Sequence, residues 1–126
     1  MAIDEFESKT QIQLPVSIVK FLYEIKGREP EKDVFECKID SEYSIEVSIE
    51  YFMSLDEIIS SFHYIGETLR RYKVLPIAQS LGSPVICIGI DNSNLGKIFV
   101  LDDGFGLIFQ SNDLNSFLSS LKSDEI

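Results

Sequence analysis

A chain of 126 residues, 44% hydrophobic and 11% aromatic, has ample material for one core and too little for two, so a single domain over 1–126 is expected. The formal charge of −10 disfavours nucleic acid as a direct ligand, because phosphate binding relies on Lys and Arg displacing counterions. A basic partner is the converse reading, and solubility alone is the plain alternative. No run approaches the ~18 apolar residues that would span a bilayer. Met1-Ala2-Ile3-Asp4-Glu5 lacks the basic-then-apolar layout of a signal peptide, so the expected location is the cytoplasm, without membrane contact.

In chain order, residues 2 to 9 offer a short helix through Ile3 and Phe6. Pro15 suits a helix first turn, and Ile18, Phe21, Leu22 and Ile25 then fall on one face at i, i+3, i+4 and i+7, giving a helix over 15 to 26. Gly27 is placed to end it in a left-handed cap, Pro30 prevents its resumption, and Glu29 to Asp33 is a charged loop. From Val34 to Phe52 the period changes to 2. Phe35, Cys37 and Ile39 alternate with Glu36, Lys38 and Asp40, and Ile45, Val47 and Ile49 with Ser44, Glu46, Ser48 and Glu50. A hairpin of strands 34 to 40 and 44 to 52 follows. Pairing Ile39 with Ile45, Cys37 with Val47 and Phe35 with Ile49 keeps the apolar sets together and sets Lys38 opposite Glu46.

Ser54-Leu55-Asp56-Glu57 is a capping box that opens a helix over 55 to 69, with Leu55, Ile58, Ile59, Phe62, Ile65 and Leu69 as its stripe and Arg70-Arg71 at its negative pole. Three apolar segments come next: Val74 to Ala78, then Val85 to Ile90 after a Leu81-Gly82-Ser83-Pro84 turn, then Lys97 to Leu101 after the 91 to 96 turn. Connections this short require antiparallel neighbours, because a parallel return needs a crossover of a dozen residues or more. Gly106 to Phe109 adds a last strand, and Ser111 or Asn112 caps a helix carrying Leu114, Phe117, Leu118 and Leu121. The fold class is α+β, a mainly antiparallel sheet with helices packed on it. Phe21, Phe62, Ile88, Phe99 and Phe117 are the expected core, and Cys37 and Cys87, set among apolar residues, are expected as buried free thiols.

Leu75-Pro76-Ile77-Ala78, a glycine-containing turn, an apolar strand, Gly96-Lys97-Ile98-Phe99 and Asp102 resemble the central signature of the SUKH superfamily, the group of a yeast cell-wall assembly regulator and bacterial immunity proteins. Leu14-Pro15 with Ile18, Phe21-Leu22 and Gly27 is similar to its opening helix, and Ser111 with Phe117-Leu118 and Leu121 to its closing one. Lys26 stands where an Asn is usual, and Ser83-Pro84 where Gly-Asp often precedes the central strand.

Nothing in the sequence singles out catalytic chemistry. Its acids form no distinguished pair, its one His, His63, has no triad or metal-ligand companions, and its glycines fit no phosphate cradle. Asp91 to Gly96 with Asp102 is a poor calcium loop, since Leu95 occupies a ligand position and strand-forming residues follow. The expectation is a binding protein, not an enzyme, with no cofactor or metal. The resemblance implies an immunity protein that neutralises a cognate toxin domain delivered by neighbouring cells, often a nuclease. A regulatory scaffold domain, like the eukaryotic members, is the alternative. A nuclease presents cationic surface, so the partner-binding residues are sought among the acids: Glu36, Asp40, Glu46 and Glu50 on one strand face, or Asp91, Asp102 and Asp103 at turns.

Overall fold

The computed structural model describes Asp4, Glu7, Ser8 and residues 13–14, 16–25, 34–82, 84–102 and 104–122. Of the short helix read at residues 2 to 9, Asp4, Glu7 and Ser8 are helical, and its other residues, Ile3 and Phe6 among them, lie outside the described residues. Pro15, Lys26, Gly27, Pro30, the 29 to 33 loop, Ser83, Asp103 and the 123 to 126 tail lie outside the described residues, as do the side chains of Phe62 and His63.

Six strands form one antiparallel meander in sequence order: β1 (Val34–Lys38), β2 (Ser44–Phe52), β3 (Val74–Ser80), β4 (Val85–Gly89), β5 (Ile98–Asp102) and β6 (Gly106–Ser111). The named helices are α1 (Val16–Ile25), α2 (Leu55–Tyr72) and α3 (Leu114–Ser120). The capping box forms as read: the Glu57 backbone N–H donates to Ser54 Oγ at 3.3 Å, and the Ser54 N–H to Glu57 Oε1 at 3.1 Å. Asp113, and not Ser111 or Asn112, caps α3; its carboxylate accepts from the Ser116 N–H at 2.7 Å. Ser111 instead ends β6, pairing with Ile98.

Alternation decides which side chains go inward. Phe35 and Cys37, Val47 and Ile49, Leu75 and Ile77, Ile86 and Ile88, Ile98 and Val100 share one core with Ile18, Phe21 and Leu22 of α1, Ile58 of α2 and Phe117 of α3. The rings of Phe35 and Phe117 meet edge to face at 5.0 Å. Of the expected core, Phe21, Ile88 and Phe117 are buried, but Phe99 is not. It belongs to the other face of the sheet, where Val85, Phe99, Leu101 and Leu107 are half-buried against fully buried Val74 and Cys87. Both cysteines are buried free thiols.

The meander curls until its first strand approaches its last. Gln110 Nε2 donates to the Glu36 carbonyl at 3.0 Å, and Val34 exchanges backbone hydrogen bonds with Lys122 just beyond α3, at 2.9 and 2.7 Å. These bonds occupy part of the outer edge of β1, which would otherwise offer a template for another strand.

The hairpin register differs from the one expected. Cys37 pairs with Ile45, Phe35 with Val47 and Lys38 with Ser44, so the alignment is displaced by two residues. A shift of two keeps every side chain on its own face, so apolar alternation does not forbid it. The turn decides: Asp40 Oδ1 accepts from the Glu42 and Tyr43 N–H groups at 2.8 Å each, while the Tyr43 carbonyl accepts from Ile39 and Asp40.

Candidate functional site

The displaced register has an electrostatic consequence. Glu36 lies directly opposite Glu46, both exposed on the outer face, and Lys38 lies opposite Ser44 and not, as expected, opposite Glu46. Like charges in directly opposed positions destabilise a sheet by a fraction of a kcal/mol up to about 1. Folding therefore carries this pair as a cost. Glu50, also exposed, stands four residues along β2 from Glu46, roughly 13 Å away at strand rise. It neighbours a different feature, an open cleft of about 350 Å³ lined by Tyr51, Asp56, Glu57, Ser60 and Gln79 among others. Burial raises the Tyr51 phenol above its ordinary value, assisted by its hydrogen bond to Glu57 and by the charges of Glu57 and Glu50.

A meander places alternate turns at the same end. The β1–β2, β3–β4 and β5–β6 turns therefore cluster, and two of them touch: the rings of Tyr43 and Phe105 lie 6.0 Å apart. Asp102 is close enough to Cys37 for its charge to add to the burial that raises that thiol's pKa. Asp40 and Asp102 thus sit at the same end as Glu36 and Glu46, but Asp102 shares the parity of core-facing Ile98 and Val100, whereas Glu36 and Glu46 lie on the outer face. Asp91, in the β4–β5 connection, belongs to the opposite end. Asp103 lies outside the described residues.

The turn acids are less free than turn positions suggest. Asp40 organises its own hairpin, as above. Asp102 Oδ2 accepts from the Gly104 and Phe105 N–H groups at 2.8 and 3.1 Å, and the residue is half-buried. Asp91 accepts from the Ser93 hydroxyl at 2.8 Å and the Ser93 N–H at 3.2 Å, and Lys73 Nζ stands 3.8 Å away. Those hydrogen bonds, above all the hydroxyl's, hold its pKa below the ordinary carboxylate value. These acids shape turns first. Glu36, Glu46 and Glu50 have no such structural task in the described hydrogen bonds.

Sequence reasoning passed over an apolar surface beside these acids. Phe99 pairs across the ladder with Phe109, and Leu101 with Leu107. The Phe99 and Phe109 rings meet edge to face at 6.0 Å, yet Phe109 remains 51% exposed, and Phe105 and Tyr43 are exposed to a similar degree. The available signal was that Ile98 to Leu101 is apolar at both parities, which marks a strand apolar on two faces.

Among the described residues, no three His, Cys, Asp or Glu side chains gather to hold a metal ion, and no helix is long and apolar enough to cross a membrane. An α+β fold with a six-strand antiparallel meander, carrying paired acids on its outer face, is the class of structure defined here. The family model described as SMI1 / KNR4 family (SUKH-1) matches residues 1–120, and the chain belongs to that family. No curated protein matches the chain.

Proposed function

We propose that the protein is an immunity factor: a non-catalytic, cytoplasmic protein that binds a cognate toxin domain and blocks it. The toxin is a cationic domain, best fitted by a nuclease. Membership of the SUKH-1 family supports a protein of immunity type. The observation that carries the further step is the opposed, exposed Glu36–Glu46 pair, retained against its own repulsion. A nuclease must present Lys and Arg to its polyanionic substrate. An acidic inhibitor laid over that surface occludes it and gains association rate by steering. Glu36, Asp40 and Glu46 form the centre of this acidic surface, Asp102 stands at its edge, and Glu50 extends it along β2.

The test is co-expression with the toxin domain encoded immediately upstream. Cells producing that domain should survive only with this chain, and the purified pair should form a complex. Absence of any such gene, or a domain that kills equally with and without the chain, would move the reading to a regulatory scaffold.

A further inference from the structure

The outer face of β5 and β6 is an apolar surface bordered by acids, and among the described residues three exposed aromatic side chains, Phe109 on it and Phe105 and Tyr43 at its end, belong to it. Phe99, Leu101, Leu107 and Phe109 form two cross-strand pairs on it, and the exposed Phe105 and Tyr43, in ring contact, continue it to the end of the sheet. Large aromatics left in water at adjoining positions are costly and mark contact surfaces.

We propose that this face is the docking centre for a protein partner that presents apolar side chains ringed by Lys or Arg. The proposal rests on the immunity reading for the partner's charge, and moves the energetic centre of the interface from the acids to the aromatics. Two observations select the occupant. The strands and turns at this end hold Glu36, Asp40, Glu42, Glu46 and Asp102 against Lys38 as their cation. A second copy seated on the same patch would bring this acidic border against itself, because a two-fold interface is self-complementary. An anionic lipid surface would meet the same repulsion. Finally, Gln110 and Lys122 occupy part of the β1 edge, so the face is a better seat for a partner than strand addition there.

The aromatics supply affinity through burial, and the acids supply orientation and association rate. Asp102 links the two: the carboxylate that accepts from the Phe105 N–H holds the turn presenting the Phe105 ring.

Two probes test this, the first without presuming the toxin. The first is a synthetic amphipathic peptide with Leu on one face and Lys on the other, followed by backbone amide shifts; its counterpart carries Glu in place of Lys. Shifts from the Lys peptide should cluster at 99 to 101 and 105 to 109, and the Glu peptide should leave them unmoved. Phe105→Ser with Phe109→Ser should weaken binding at least about tenfold, with Phe109→Gln as a milder variant should the double one unfold. Shifts centred elsewhere, equal binding of both peptides, a concentration-dependent dimer abolished by the same substitutions, or binding to anionic phosphatidylglycerol vesicles would each overturn the proposal. The second probe is the upstream toxin domain. Equal affinity for wild type and Phe109→Gln would remove the docking face and leave the immunity reading intact. Peptide binding on this face without toxin neutralisation would do the reverse.

Discussion

Phe117 and Phe109 are the same residue type under opposite constraints. Phe117 is completely buried against Phe35, so Phe117→Ala leaves a cavity and should cost about 3–5 kcal/mol in a urea titration. Phe109 has half its surface in water, and Phe109→Ala should cost below about 1 kcal/mol. Comparable losses at both sites would mean that the outer face is core. Cys87 is fully buried, and burial pushes its thiol up to about 12 from 9.0. A pKa raised on folding contributes stability that is whole below 9.0 and is lost as pH rises towards 12. The native thiol should resist an aromatic disulfide reagent at neutral pH and react at once in urea; rapid native reaction would contradict its burial. Asp91 has the opposite sign. Its depressed pKa gives a contribution present above the ordinary 3.8 and lost as pH falls through the folded value, so Asp91→Asn should flatten the acid limb of stability against pH. At this scale the sequence reported burial well for Phe21 and Phe117, each in a one-sided pattern, and for Ile88, in a strand buried on both faces. It failed for Phe99, where a run apolar at both parities hides which face the helices cover.

The elements show where local chemistry outranks pattern. Alternation in β1 and β2 assigns faces, but alignments two residues apart are equivalent to it; the expected strands would leave residues 41–43 as the loop, and the observed ones leave 39–43. The Asp40 carboxylate separates them by satisfying two loop N–H groups. Asp40→Ala should therefore destabilise the hairpin by about 1 kcal/mol, read by urea unfolding, and increase amide exchange at Glu42 and Tyr43. Unchanged exchange there would show that the loop holds itself. Glu36→Lys converts the Glu36–Glu46 repulsion into attraction, and should raise stability by up to about 1 kcal/mol while weakening the toxin complex. Gain in one and loss in the other is the signature of a residue kept for binding; a loss in both would make Glu36 structural. The loop after β4 was legible only as a turn. Gly89 is needed there because a Cβ would lie 2.1 Å from the Asn94 carbonyl oxygen, a close approach that no spacing rule displays. By contrast, the Ser54–Glu57 box was readable outright, since its geometry depends on four consecutive residues alone.

Across the whole molecule, the antiparallel pairing of β1 with β2 and of β3 through β6 was legible because those connections are short, whereas the seating of β2 beside β3 across the 18-residue α2 was not; the family match over residues 1–120 agrees with the resemblance carried by the Leu-Pro and Gly-Lys-Ile-Phe segments. The grouping of acids was not, because it depends on the sheet curling until β1 approaches β6, which brings Asp102 towards Cys37 and sends Asp91 to the other end. The central claim is that an acidic surface around Glu36 and Glu46 captures a cationic toxin domain. It is tested most directly by stopped-flow association of that domain with wild type and with Glu46→Lys combined with Glu50→Lys, across several salt concentrations. Charge reversal should slow association several-fold at low salt and flatten its salt dependence, while unfolding stability rises by up to about 1 kcal/mol, because Glu46→Lys also turns the repulsion from Glu36 into attraction. Association rates that match wild type at every salt concentration would contradict it.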